Sequence, residues 1–438
     1  MNEIKDLARS AIERRRQDVI DVGDRILHMP ELGFKEYRTA GVAKDFLEGL
    51  GLVVRDRIAL TGLKAILDTG RPGPTVAVMG ELDALVVAGH PLADPETGAA
   101  HACGHNGQIA GMLAAAIGLS DPVVLAGLCG RIVFIAVPAE EYVEVEYRHE
   151  LVRNGRLHFL GGKPELVALD ELADVDICMM VHLAPMEHRA GVAESNNGCV
   201  VKMIRFLGKA SHAGGAPHDG INALNAANLA IQAIHAQRET FRDEDAIRVH
   251  PIITRGGDIV NVVPVEVTLE TYVRGKTLEA IFDAEAKVDR ALKAGAMAVG
   301  ATVEIETLPG YMPLQNHAEL GDLFLANVAG MFGSDSVQKD GHRAGSTDMG
   351  DLSHLMPAIH PYMNGITGAG HSVDWTVTDQ GAAYVDPGIA MAMTTIDLLG
   401  NEGKQGERIV NEFQPPLSRD EYLDVQRAVF RKDVFGPE

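Results

Sequence analysis

The first hydrophobic pattern in the chain is helical. Ile4, Leu7, Ala8, Ala11, Ile12, Val19 and Ile20 fall at helical spacing and predict one amphipathic helix to about Leu27, before His28-Met29-Pro30. A second helix, Ala40 to Leu50, stops at Gly51. Two β-rich runs follow, Leu63 to Asp68 and Thr75 to Gly80, parted by the turn G-R-P-G-P. Small residues fill Gly107 to Gly118, another predicted helix, and an apolar run from Ile132 leads into P-A-E-E. Strands and helices alternate, as an α/β fold with a mostly parallel sheet requires.

The character changes near Glu194. After E-S-N-N-G, read as a linker, come a strand (Val200 to Ala210), a helix (Gly220 to Arg238), strands at Ile247 to Thr254 and Val265 to Val273, a helix (Leu278 to Met297) and a strand (Thr302 to Thr307). That β-α-β-β-α-β order is the ferredoxin-like split unit. It predicts an inserted domain at 196–311 inside a first domain built from 1–195 and 312–438.

Ligand-type side chains sit where this pattern predicts strand ends. Cys103 and His105 flank Gly104 in A-A-H-A-C-G-H-N-G-Q; a thiolate and an imidazole both bind zinc-like ions, and glycine lets the backbone turn tightly enough to aim both at one point. Glu140 and Glu141 close the run from Ile132; on extended chain they face opposite ways, so one can ligate a metal while the other handles a proton. His182 ends C-M-M-V-H, and His371 lies in G-A-G-H-S. Asp83, in G-E-L-D-A-L, suits the support of a ligating histidine. Open α/β sheets place their sites at such carboxyl ends.

Composition narrows the class. A formal net charge of -22 disfavours nucleic acid and anionic membrane surfaces. Four cysteines in 438 residues make no disulfide framework and suit a reducing cytoplasm. The charged N-terminus lacks the apolar core of a signal peptide, and no apolar run reaches a membrane span of about 20 residues. Cys129 and Cys178 read as core thiols, and His101, His218, His250, His354 and His360 have no ligand role assigned.

Taken in order, these motifs resemble the amidohydrolase branch of the aminoacylase and carboxypeptidase family of metallopeptidases, family M20. The resemblance begins at H-M-P-E-L-G-F-K-E-Y-R-T-A (His28 to Ala40) and continues through G-E-L-D-A-L, H-A-C-G-H-N and P-A-E-E. It covers G-K-A-S-H-A-G-G-A-P-H-D-G-I-N-A-L (Gly208 to Leu224) in the insert, then G-S-T-D-M-G-D (Gly345 to Asp351) and G-A-G-H-S. It implies a metallopeptidase catalytic domain with a ferredoxin-like lid and dimerisation domain. By position it implies that Cys103, His105, Glu141, His182 and His371 are metal ligands, with Cys103 bridging two divalent ions. Glu140 matches the catalytic carboxylate, Asp83 the acid that steadies the site, and Glu81 its acidic neighbour. His212 matches the histidine that reaches a neighbouring subunit's site and stabilises the oxyanion; Asn261 and Arg274 match substrate contacts. The implied activity is hydrolysis of the amide of an N-acyl, aminobenzoyl or β-alanyl amino acid by a homodimer. Thiolate and imidazole favour zinc, while the oxygen ligands leave manganese open.

Two departures bear on substrate. Asn106 stands where much of the branch has aspartate, and Y-V-E-V-E-Y-R-H (Tyr142 to His149) replaces a glycine-rich run. The Asn106 variant and the S-T-D-M-G-D form resemble a narrower group with β-alanyl-lysine dipeptidases and the B subunit of aminobenzoyl-glutamate hydrolase. A relative that deaminates nitroanthranilate makes aromatic deamination the alternative reaction. A covalent mechanism through Cys103 and a relative without catalysis are further alternatives.

Overall fold

The computed structural model describes residues 1–437. The chain divides into two compact units: one from Met1–Glu194, Gln315–Gly341 and Asp351–Ser418, the other from Ser195–Leu314, His342–Gly350 and the tail from Arg419.

In the first unit a mixed six-stranded sheet runs in the order Val54–Ile58, Gly62–Asp68, Arg131–Val137, Thr75–Glu81, Ile177–Met179, Ala358–Ile359. The first two pairings are antiparallel and the other three parallel. Every residue of strand Thr75–Glu81 is buried, as expected of a central strand covered on both faces. Against it packs the helix His105–Leu119, whose 15 residues are all buried. Such a helix must be apolar or small all round, which accounts for its glycines and alanines. The predicted first helix is two helices, Asn2–Arg14 and Arg16–Leu27, because Arg15 leaves the helical region at φ -111°, ψ 20°.

The second unit is built on an antiparallel sheet in the order Arg248–Val249, Glu266–Gly275, Gly198–Leu207, Thr302–Pro309, Arg431–Phe435, with Ile252–Arg255 also on Glu266–Gly275. Helices Ala223–Ala236 and Leu278–Val299 cover it, giving the ferredoxin-like arrangement. The sequence assigns the tail to the first domain, but its strand Arg431–Phe435 pairs with Thr302–Pro309 instead. Burial explains the attachment. Lys202, fully buried, donates to Glu285 at 2.7 Å, Asp289 at 2.6 Å and Thr307 at 2.8 Å, and Arg431 of the tail balances the two carboxylates.

Candidate metal centre

Three neighbouring parallel strands, Arg131–Val137, Thr75–Glu81 and Ile177–Met179, end together and carry Glu140 and Glu141, Glu81 and Asp83, and His182 just beyond. Gly104 caps the buried helix at φ 99°, so Cys103 and His105 turn towards the same edge. His371 takes φ 62°, uncommon for a side chain other than glycine, and its N–H donates to the Ala102 carbonyl at 2.8 Å. That bond ties the G-A-G-H-S loop to the Cys103 loop.

The side chains converge. Cys103 Sγ lies 3.2 Å from His182 Nε2, and His371 Nε2 lies 3.2 Å from Glu141 Oε1. Three sets have ligand atoms within 4.8 Å of one another: Cys103, His105 and His182; Cys103, Glu141 and His371; Glu81, His105 and Glu140. Cys103 belongs to the first two, so one sulfur faces two candidate ion positions.

Hydrogen bonds select the free nitrogens. His105 Nδ1 donates to the Asp83 carbonyl at 2.8 Å and His182 Nδ1 to the Leu183 carbonyl at 2.6 Å, so in each ring Nε2 is the nitrogen that carries the lone pair once the second proton is lost. His105 Nε2 and Glu141 Oε1 are buried with no well-aligned hydrogen bond, each instead facing a charged neighbour, Glu81 Oε2 at 3.1 Å and His371 Nε2 at 3.2 Å, a crowding of charge that a cation would relieve. The donors therefore suit a divalent metal. Asp83 braces the turn behind them: its carboxylate accepts the Glu140 N–H at 3.1 Å and the Glu141 N–H at 2.9 Å. The third set is not open in the same way. Glu81 Oε1 accepts from Lys163 at 2.5 Å and Oε2 from Gln108 at 2.7 Å.

Electrostatics agree. Burial and the Glu141 charge push the Cys103 thiol up, but His182 and His105 outweigh them and hold it near about 6. Burial opposes ionisation of Glu141, yet His371 keeps it down at about 2, and Glu141 in turn lifts His371 to about 11. The site is a lattice of thiolate, carboxylates and imidazolium whose protons a cation would displace.

Glu36 behaves differently. Its carboxylate accepts the Ala139 N–H at 2.7 Å and the Thr61 hydroxyl at 2.6 Å; burial first and Asp83 second raise it from 4.5 to about 7. The folded chain therefore keeps a proton that the unfolded chain has released. The stability this confers is complete below pH 4.5 and is lost as pH rises through about 7. Glu36→Gln should flatten that part of a melting-temperature-against-pH curve; an unchanged slope would contradict the assignment.

The remaining predicted residues lie in the second unit. His212 is exposed, and its Nδ1 accepts from Gly214 N at 3.1 Å and Gly215 N at 2.8 Å. In the neutral ring the proton then sits on Nε2, which is left as a donor. Asn261 is adjacent through its carbonyl, which accepts the Ala213 N–H at 2.9 Å. Arg274 is not brought to them. It pairs in register with Cys199 at one end of the sheet and donates to Ser346 at 3.1 Å, whereas the His212 loop leaves the other end. About nine residues of strand, roughly 30 Å, separate the two places.

Asn106 bonds away from the ligand atoms, to the Gly23 carbonyl at 3.3 Å and the Tyr384 hydroxyl at 3.0 Å. The sequence reading missed Glu36, Gln108, Arg148 and Lys163. Glu36, Gln108 and Arg148 stood inside stretches singled out in the sequence but with no role assigned to them; Lys163 carries no local signal.

Known proteins are similar to this chain in its second unit and in its fold. Residues 196–298 match the peptidase dimerisation domain of family M20. The mouse Xaa-Arg dipeptidase is 28% identical over 96% of this chain and 95% of its own. Indole-3-acetyl-aspartic acid hydrolase from Enterobacter agglomerans is 32% identical over 57% of this chain and 55% of its own. The structure of the Bacillus subtilis YXEP protein, a dinuclear metal-binding peptidase of family M20, superposes with a TM-score of 0.65 at 22% identity, covering 88% of this chain and 99% of that one. The second unit thus carries an M20-type peptidase dimerisation domain, and the chain is similar over nearly its whole length to a dipeptidase.

No helix among the described residues is long and apolar enough to cross a membrane.

Proposed function

We propose that this chain hydrolyses the amide of an N-acyl, aminobenzoyl or dipeptide amino acid with two divalent ions held by Cys103, His105, Glu141, His182 and His371. The observation that carries this reading is the single half-buried sulfur shared by two ligand sets beside an adjacent carboxylate. The ions, when bound, supply the Lewis acidity that makes water a nucleophile near neutral pH. Glu140, fixed through its backbone by Asp83, accepts the proton of the attacking water and passes it to the departing nitrogen. Soft sulfur and imidazole donors favour zinc, and the carboxylates admit manganese.

His212 donates from Nε2 to the oxygen on which charge accumulates. Because His212 and Arg274 stand at opposite ends of one sheet, a substrate of amino-acid size cannot touch both in the same chain. That separation supports a homodimer in which the second copy supplies the histidine. The exposed apolar side chains Ile252, Ile253, Ile259, Val260 and Val262, around the same loop, suit burial against a second copy. Four free thiols support a reducing, cytoplasmic setting. His212→Ala is expected to lower kcat by about 10²–10³-fold with metal content unchanged; full activity would remove this residue from the reaction.

The substrate is tested by supplying metal-loaded protein with N-acyl amino acids, β-alanyl and Xaa-Arg dipeptides, aminobenzoyl-glutamate and substituted anthranilates, scoring amine and ammonia separately. Amine release from the amides is the expected result. Ammonia release from the anthranilates alone would replace amide hydrolysis with deamination.

A further inference from the structure

The segment that departs from the family pattern, Tyr142 to His149, and the helix Gly162–Ala168 supply two of the most buried cations among the described residues. Arg148 is 1% exposed and Lys163 is 0% exposed. Neither belongs to the proposed ligand sets, and each faces a different part of the centre.

Arg148 Nη1 donates to the carbonyls of Ala139 and Leu160, both at 3.0 Å. Its Nη2 stands 3.9 Å from Asp83 Oδ2, and its guanidinium lies against the rings of Phe34 and Tyr142. Arg148 Nε and Nη2 make no hydrogen bond, so this cation is buried at a cost that its two carbonyl contacts alone do not offset. Ala139 holds φ 53° immediately before the acidic pair. Its N–H is held by Glu36 and its carbonyl by Arg148, while Asp83 holds the next two N–H groups. The left-handed turn that presents Glu141 is therefore clamped from both sides.

Lys163 acts on the other half. It holds Glu81 Oε1, Gln108 holds Oε2, and that second oxygen lies 3.1 Å from His105 Nε2.

We propose that Arg148 and Lys163 are positioning residues, one for each ion: Arg148 fixes Glu141 for the set with Cys103 and His371, and Lys163 fixes the Glu81 carboxylate beside His105 for the set with Cys103 and His182. The proposal rests on the two-ion reading above. Lys163 also keeps Glu81 engaged, so that Glu81 stays a charged neighbour and does not become a ligand.

The test is calorimetric titration of the metal-stripped full chain with Mn²⁺, with melting temperatures taken alongside. Wild type should show two sites. Arg148→Met should weaken one of them by about 10–100-fold, and Arg148→Lys less. Gly33→Ala should reproduce the loss, because a Cβ there collides with Arg148 Nη2. Lys163→Met should weaken the other site. In a His371→Ala background Arg148→Met should add nothing, whereas Lys163→Met should still weaken binding. Variants that weaken both sites equally, or neither, at an unchanged melting temperature would overturn the assignment. A wild-type chain that takes up no ion would instead overturn the two-ion reading itself.

Discussion

Cys103→Ala is expected to empty both ion positions at once. Its sulfur is the one atom shared by the set with His105 and His182 and the set with Glu141 and His371. Removing it leaves each set two protein ligands, fewer than the three or four that hold a zinc-like ion. Burial and Glu141 oppose ionisation of the thiol, but His182 and His105 draw it down to about 6, which favours the thiolate that binds metal. Affinity for both ions should fall by more than the roughly 10–100-fold that loss of an outer partner costs. Turnover should fall with it. His371→Ala, by contrast, should empty one position. Metal content measured on both variants distinguishes a shared sulfur from an ordinary ligand: equal losses would count against sharing.

Glu140→Gln is expected to separate chemistry from assembly. The backbone of residue 140 stays on Asp83, and Glu141 keeps its place beside His371, so both ions should remain. What disappears is the carboxylate that moves the proton, a contribution of about 10²–10⁴-fold in kcat. KM should change little. If the variant lost its ions along with its activity, Glu140 would be a ligand, as the set of Glu81, His105 and Glu140 would allow. If it kept its activity, the proton would travel by another group.

Much of this centre was legible because its members sit in short motifs at the ends of apolar runs. Cys103 and His105 are separated only by Gly104, whose φ of 99° is the turn the spacing anticipated. Glu140 and Glu141 follow the apolar strand directly. The bracing could not be read in the same way. Lys163 meets Glu81 across 82 positions and Glu36 meets Ala139 across 103, and buried contacts of that separation leave no periodicity or spacing behind. The tail was misplaced for a related reason: its strand Arg431–Phe435 is short and charged, and it belongs to the second sheet because Arg431 meets Glu285 and Asp289 there. The break at Arg15 was hidden because both helices present the same apolar stripe.

The most direct measurement is anomalous diffraction from crystals of the zinc-loaded protein. Two ions are predicted, each about 2.3 Å from the sulfur of Cys103, one also meeting His105 and His182 and the other Glu141 and His371. A single ion, or two ions that leave that sulfur uncoordinated, would contradict the account.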